Sequence, residues 1–202
     1  MRILLALVII FIGIGVASFP YLKAQYSLHQ QDQLLEQWKN TNSDKAKQSY
    51  TSLTKVFASD DSKEQAPSTG ELLGSIKIPE IDLEMPILEG ATIENMKKAA
   101  GHLEGTAPLG EEGNAAIAAH RSYTYGKDFN RLDEIDVGDE ISITTNVATY
   151  TYTVFNTMIV LPDDTSVLKS SPDKSIMTLI TCEPIKDPTH RLIVQASLKK
   201  SK

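Results

Sequence analysis

Apolar and polar positions divide the chain into three textures. Residues 3–19 form an unbroken run of apolar and small side chains, flanked by Arg2 on one side and by Pro20 and Lys23 on the other. Residues 25–57 are polar, with scattered apolar positions at Leu28, Leu34, Leu35, Trp38, Tyr50, Leu53, Val56 and Phe57. Their spacing partly fits a helix, but they are too sparse to bury a core, so the segment reads as a stalk. Residues 59–70, SDDSKEQAPSTG, have the Ser, Asp, Pro and Gly content of a linker.

From Leu72 the pattern becomes short apolar runs separated by turn signals. Runs at 72–78 and 81–87, split by Pro79-Glu80, predict two strands. Residues 92–100 predict a short helix with Thr92 as its N-cap, and 101–113 a Gly/Pro loop. A strand of small residues follows at 115–120, then a helical turn over 129–135 spaced by Phe129, Leu132 and Ile135. Segments 140–145 and 149–160 are rich in Ile, Val, Thr and Tyr, as strands are. A polar loop with one helical turn at 163–172 leads to the closing strands at 176–182 and 191–198. Many short strands with regular turn signals predict a mainly β sandwich or barrel; the pattern alone does not choose between them. The expected division is an anchor at 1–24, a stalk and linker at 25–70, and one catalytic domain at 71–202.

The N-terminal run admits two readings, an uncleaved membrane anchor or a signal peptide cut near Val16-Ala17-Ser18. A spanning helix needs about 17 or more mainly apolar residues, whereas a signal peptide's apolar region is shorter and ends at a small-residue site. The run is long and the cleavage site poor, which favours the anchor. The composition adds little that is unusual: hydrophobic residues are 41% of 202, and the formal net charge is −6. With no Lys/Arg stripe, nothing predicts a nucleic-acid-binding surface. The acidic loop residues Glu104, Glu111, Glu112, Asp163 and Asp164 read as solvated surface, and no Cys/His cluster suits zinc. No cofactor or metal is expected.

Candidate chemistry centres on the single cysteine, Cys182. It ends an apolar β-type run, and Arg191 opens the next run after a Pro-containing loop. A cationic group close to a thiol favours the nucleophilic thiolate, although a lone cysteine is also often a buried core residue. The stretch NAAIAAHR adds His120. Cys182, His120 and Arg191 together supply the nucleophile, the acid/base and the oxyanion stabiliser that acyl transfer needs. Strand alternation places Thr178, Ile180 and Cys182 on one face, with Leu179 and Thr181 on the other. Arg121 is the rival cation, but adjacency to His120 turns it the other way. Of the remaining histidines, His29 lies in the stalk, His190 faces away from Arg191's side, and His102 is a candidate lining residue of the cleft. Thr181 is a candidate for shaping the site, and Ala118 and Ala119 for close packing.

TLITC resembles the TLxTC signature of sortases, the membrane-anchored cysteine transpeptidases of Gram-positive bacteria. GNAAIAAHR resembles the stretch that carries their histidine, and HRLIV the strand that carries their arginine. The three motifs fall in the family's order, and the resemblance runs from about Leu72 to Leu198. It implies a closed, mainly antiparallel barrel of about eight strands with short helices, behind a single-pass anchor that puts the catalytic domain outside the cell. It implies catalytic roles for His120, Cys182 and Arg191. It also implies substrates: surface proteins with a C-terminal LPxTG-like sorting signal, cut after Thr and transferred to a peptidoglycan amine. Pilin-polymerising sortases carry an Asp-Pro-aromatic lid and often a second C-terminal membrane segment. Neither pattern is present here, and Cys182-Glu183-Pro184 looks more like class D than class A. The alternatives are a hydrolytic cysteine protease and a membrane-tethered binding module without turnover.

Overall fold

The strands follow from alternation. In Glu140–Thr145, Ile141 and Ile143 are buried while Ser142 and Thr144 face outward, the two-residue period of a half-buried strand. The computed structural model describes residues 2–52, 67–170 and 173–199. Its strands are β1 (Leu72–Ile78), β2 (Leu83–Glu89), β3 (Ala100–His102), β4 (Gly113–Ala118), β5 (Glu140–Thr145), β6 (Thr149–Val160), β7 (Ser175–Glu183) and β8 (His190–Leu198). They close into a barrel in the order β1-β2-β3-β4-β7-β8-β6-β5. The fold is therefore the mainly β, closed eight-stranded barrel expected, and closure leaves no sheet edge. Most neighbours are antiparallel; β2–β3 and β4–β7 are parallel. The interior is filled by Ile76, Ile87, Ile143, Tyr152, Leu179 and Val194, among others.

Several predicted boundaries shift for local reasons. The second strand begins at Leu83 rather than Ile81, because Pro79–Ile81 forms a 3-10 turn that ends on Asp82 in the left-handed region, φ 50°. The predicted helix at 92–100 is only α2 (Ile93–Met96); the Thr92 hydroxyl does cap it, accepting from the Asn95 amide at 3.1 Å. The end of that segment becomes β3, drawn into a strand by parallel pairing with β2. The turn at 129–135 is a 3-10 turn over Leu132–Glu134, anchored by buried Phe129, Leu132 and Ile135.

Gly74 marks a close approach of β1 to β5. A methyl group there would overlap the Thr144 backbone carbonyl oxygen, and backbone cannot yield as a side chain can. Gly74→Ala is expected to destabilise the barrel by about 1–3 kcal/mol, read as a drop of several degrees in a thermal melt. An unchanged melting temperature would mean that the two strands separate without cost.

The N-terminal region is one helix, α1 (Arg2–Ser52), which runs through the apolar stretch and on into the expected stalk. Among the described residues no helix is long and apolar enough to cross a membrane. The expected linker largely lies outside the described residues, as do the stalk positions Leu53, Val56 and Phe57. Within the expected stalk, residues 27–39 pack on the barrel. Gln31 and Trp38 are each only 7% exposed, and a seven-residue step returns to the same helix face. The Ser27 hydroxyl donates to the Lys97 carbonyl at 2.6 Å, and Lys39 pairs with Glu84 at 3.1 Å.

Candidate active site

Strand β7 lies between β4 and β8 and sets the site. Met177, Leu179 and Thr181 are buried. Thr178, Ile180 and Cys182 alternate with them along the outer face, as expected. Cys182 is partly exposed and free. Directly across the β7–β8 ladder from it is Arg191. Such cross-strand partners project from the same face, with Cβ atoms about 5 Å apart. The parallel β4–β7 register pairs Ala118 with Ile180, and the Ala119 amide donates to the Ile180 carbonyl at 3.2 Å. Continued by two residues, that register brings His120 level with Cys182. Three neighbouring chain segments thus bring His120, Cys182 and Arg191 to one end of one outer face, with the thiol in the middle.

Thr181 has a definite task. Its hydroxyl is buried and donates to the Ala119 carbonyl at 2.9 Å, which fixes the residue just before His120. Ala119 is itself buried, so a small side chain fits its position. His120 is exposed, and its carbonyl accepts from the Phe129 amide at 3.0 Å. The β7–β8 loop closes through the Thr189 amide donating to the Glu183 carbonyl at 3.0 Å. Arg191 is partly exposed and donates from Nη1 to the His190 carbonyl at 2.9 Å.

The rival groups are occupied elsewhere. Arg121 is buried, ion-paired with Glu183 and with Asp133, the latter at 2.9 Å. A buried cation needs such partners to offset its desolvation. His102 does not line the cleft: it is 4% exposed. Its Nδ1 meets Glu89 at 2.8 Å, and its Nε2 meets the Ala107 carbonyl at 2.9 Å. These neighbours lock it as a structural histidine of the β3–β4 connection. Among the described residues, no group of three or more His, Cys, Asp or Glu side chains is placed to hold a metal ion.

Sequence reasoning missed a polar cluster further along the same outer face. The Thr178 hydroxyl is fully buried and donates to Asn114 Oδ1 at 2.8 Å. Asn114 Nδ2 donates to the carbonyls of Val167 and Lys169, at 2.9 and 3.2 Å. Gln195 Nε2 reaches the same Val167 carbonyl at 3.2 Å. Polar side chains of β4, β7 and β8 thereby hold the β6–β7 loop down on the sheet. That loop carries a 3-10 turn (Thr165–Leu168), capped by Asp164 accepting from the Ser166 amide at 2.9 Å. The Ser166 hydrogen bonds hold the Asp164 carboxyl below the usual range. A cleft of about 480 Å³ opens between the loop's Leu168 and residues 90–92 and 103–106. None of the three candidate catalytic residues lines it. The available signal was an asparagine inside a run of small apolar residues, a type that rarely goes unpaired when buried.

Thr178→Val removes the donor but keeps the shape. It leaves Asn114 Oδ1 buried without its partner, at a cost of about 1–3 kcal/mol. The expected result is a lower melting temperature, read by thermal unfolding. A variant as stable as the parent would show that the cluster does not hold the loop.

Comparison with known proteins agrees with this geometry. A sortase-domain family profile matches residues 76–199. Sortase D of Bacillus subtilis is 32% identical over 118 residues, and the match spans 58% of this chain and 58% of that protein's length. Sortase A of Streptococcus agalactiae is 27% identical over 213 aligned positions, covering 99% of this chain and 85% of that one. Among solved structures, a Clostridium perfringens sortase D5 transpeptidase superposes with a TM-score of 0.69 at 30% identity, over 85% of this chain and 99% of the other. The profile covers the barrel from within β1 to the end of β8, a span that includes His120, Cys182 and Arg191, and the chain belongs to the sortase family.

Proposed function

We propose that the protein is a sortase transpeptidase with Cys182 as nucleophile, His120 as acid/base and Arg191 as oxyanion stabiliser and substrate clamp. The observation that carries the reading is the register: Cys182 faces Arg191 across the β7–β8 ladder, and the β4–β7 register leads His120 to the same level. The sulfur attacks the threonine's own carbonyl carbon, at the peptide bond that follows threonine in an LPxTG-like sorting signal. The C–N bond breaks, and His120 gives a proton to the departing amine. The resulting thioester is attacked by an incoming amine, His120 takes up the proton, and a new amide leaves the enzyme. The guanidinium's fixed, permanently charged donors suit the oxyanion that forms in each step.

The substrates are surface proteins with a C-terminal LPxTG-like signal, and the acceptor is a peptidoglycan precursor or cross-bridge amine. The class D assignment is favoured over class A by similarity to the Bacillus subtilis and Clostridium perfringens proteins. The N-terminal segment 1–24 serves as a single-pass anchor, with the barrel outside the cell. In support, Phe11, Val16 and Phe19 of α1 are 66–73% exposed; a bilayer would cover them.

The test mixes full-length protein in detergent with LPxTG- and LPxTA-type peptides, with and without an added amine, and follows products by mass spectrometry. Amine adducts joined at threonine are the expected result. Cleavage without adducts would support a hydrolase, and no cleavage at all would overturn the sorting-signal specificity.

A further inference from the structure

His120 lies beyond the end of β4, so its place depends on what holds the segment after it. Residues 121–130 fold back as a loop. Arg121 and Asp128 form an antiparallel bridge, and the Phe129 amide donates to the His120 carbonyl at 3.0 Å. Asn130 Nδ2 donates to the Ser122 carbonyl at 2.6 Å. The Asp128-Phe129 step is therefore the backbone from which His120 hangs. Phe129 is fully buried in the barrel. Asp128 is held differently: its Oδ1 accepts from Gln31 Nε2 of helix α1 at 2.8 Å, across 97 residues of sequence.

Four further observations make this contact more than a chance brush. Gln31 is only 7% exposed, so its amide is committed to the interface. Contacts on either side dock the helix, Ser27 on Lys97 and Lys39 on Glu84, with Trp38 buried between. Asp128 adopts a left-handed backbone, φ 51°, which Asp and Asn tolerate better than most residues. Burial raises the Asp128 carboxyl above its usual range, while the Gln31 hydrogen bond and the charges of Lys127 and His120 oppose that rise.

From this arrangement we propose that α1 is an internal positioning element for His120, acting through the Gln31–Asp128 hydrogen bond. The inference rests on the acid/base assignment of His120. Gln31 and Asp128 touch no reacting atom; they act by holding the loop that places the imidazole. The segment between anchor and barrel then belongs to the working enzyme, and undocking α1 slows the chemical step.

The test uses the full chain in detergent, with variants matched to the parent in melting temperature. Gln31→Ala removes the donor. Asp128→Gly removes the acceptor and keeps the left-handed backbone. Asp128→Asn keeps the acceptor oxygen. With an LPxTG-type peptide and added amine, Gln31→Ala and Asp128→Gly should each lower kcat about ten-fold. KM should stay within about two-fold of the parent, and Asp128→Asn should remain near parental kcat. The Gln31→Ala, Asp128→Gly double variant should be no worse than the lower single, as two ends of one bond require. Hydrogen exchange supplies a readout free of turnover: amides of residues 121–130 should exchange faster in Gln31→Ala and Asp128→Gly only. Unchanged exchange, losses that multiply, a loss in KM alone, or Asp128→Asn falling as low as Asp128→Gly overturns the inference. A parent without any Cys182-dependent product overturns the sortase reading instead, and the inference with it.

Discussion

Cys182→Ala is expected to abolish both cleavage and transfer, lowering kcat by about 10⁴-fold or more. On the proposed mechanism the thiol forms the thioester, so without it no covalent intermediate should accumulate and none should be trapped by an added amine. The structure also predicts what survives. Cys182 is partly exposed at the barrel surface, so its loss leaves no core cavity. The variant should melt like the parent and bind the sorting peptide with similar affinity. A variant that binds but does not turn over separates the enzyme from a non-catalytic tethered module. Retained turnover would remove Cys182 from the mechanism.

Arg191→Ala is expected to lower kcat by about 100- to 1000-fold. The residue faces Cys182 across the ladder, which is the basis for the oxyanion role proposed for it. Arg191→Lys should recover only part of the loss, because an ammonium keeps the charge but not the planar fork. Arg121 offers the contrast. It is buried in ion pairs with Glu183 and Asp133, so removing it forfeits both pairs and the packing of its side chain. Arg121→Ala should therefore show first as lost stability, read by thermal melting. If both arginine variants lost only stability, the oxyanion role would pass to backbone donors.

How much of this was legible in the sequence depends on whether the signal was local. β5 and β6 carry alternating Ile, Val, Thr and Tyr, and their predicted bounds match the observed Glu140–Thr145 and Thr149–Val160. β3 has three residues, too few for any period to register, and exists because β2 and β4 pair with it. For the site, a lone cysteine at a strand end, a histidine after small residues and an arginine opening the next strand were readable. Alternation also set Arg121 apart from Arg191. The cluster of Asn114, Thr178 and Gln195 was not readable, because its members meet across 64 and 17 residues of chain. The docking of α1 was hidden for the same reason: a few half-apolar positions look like a spacer until the barrel supplies their partners.

The parallel pairing of β4 with β7 has a consequence for when activity appears. It ties Thr181 to Ala119, 62 residues earlier in the chain, and parallel strands cannot be joined by a tight hairpin. Closing a loop of that length must precede the contacts that reward it, so such pairings form late. β7 and β8 can zip as a local hairpin and bring Cys182 beside Arg191, but His120 arrives only when the barrel shuts. A partly folded chain thus carries Cys182 beside Arg191 before His120 reaches their level. On the roles proposed for these residues, activity is expected only once that last step of folding is complete.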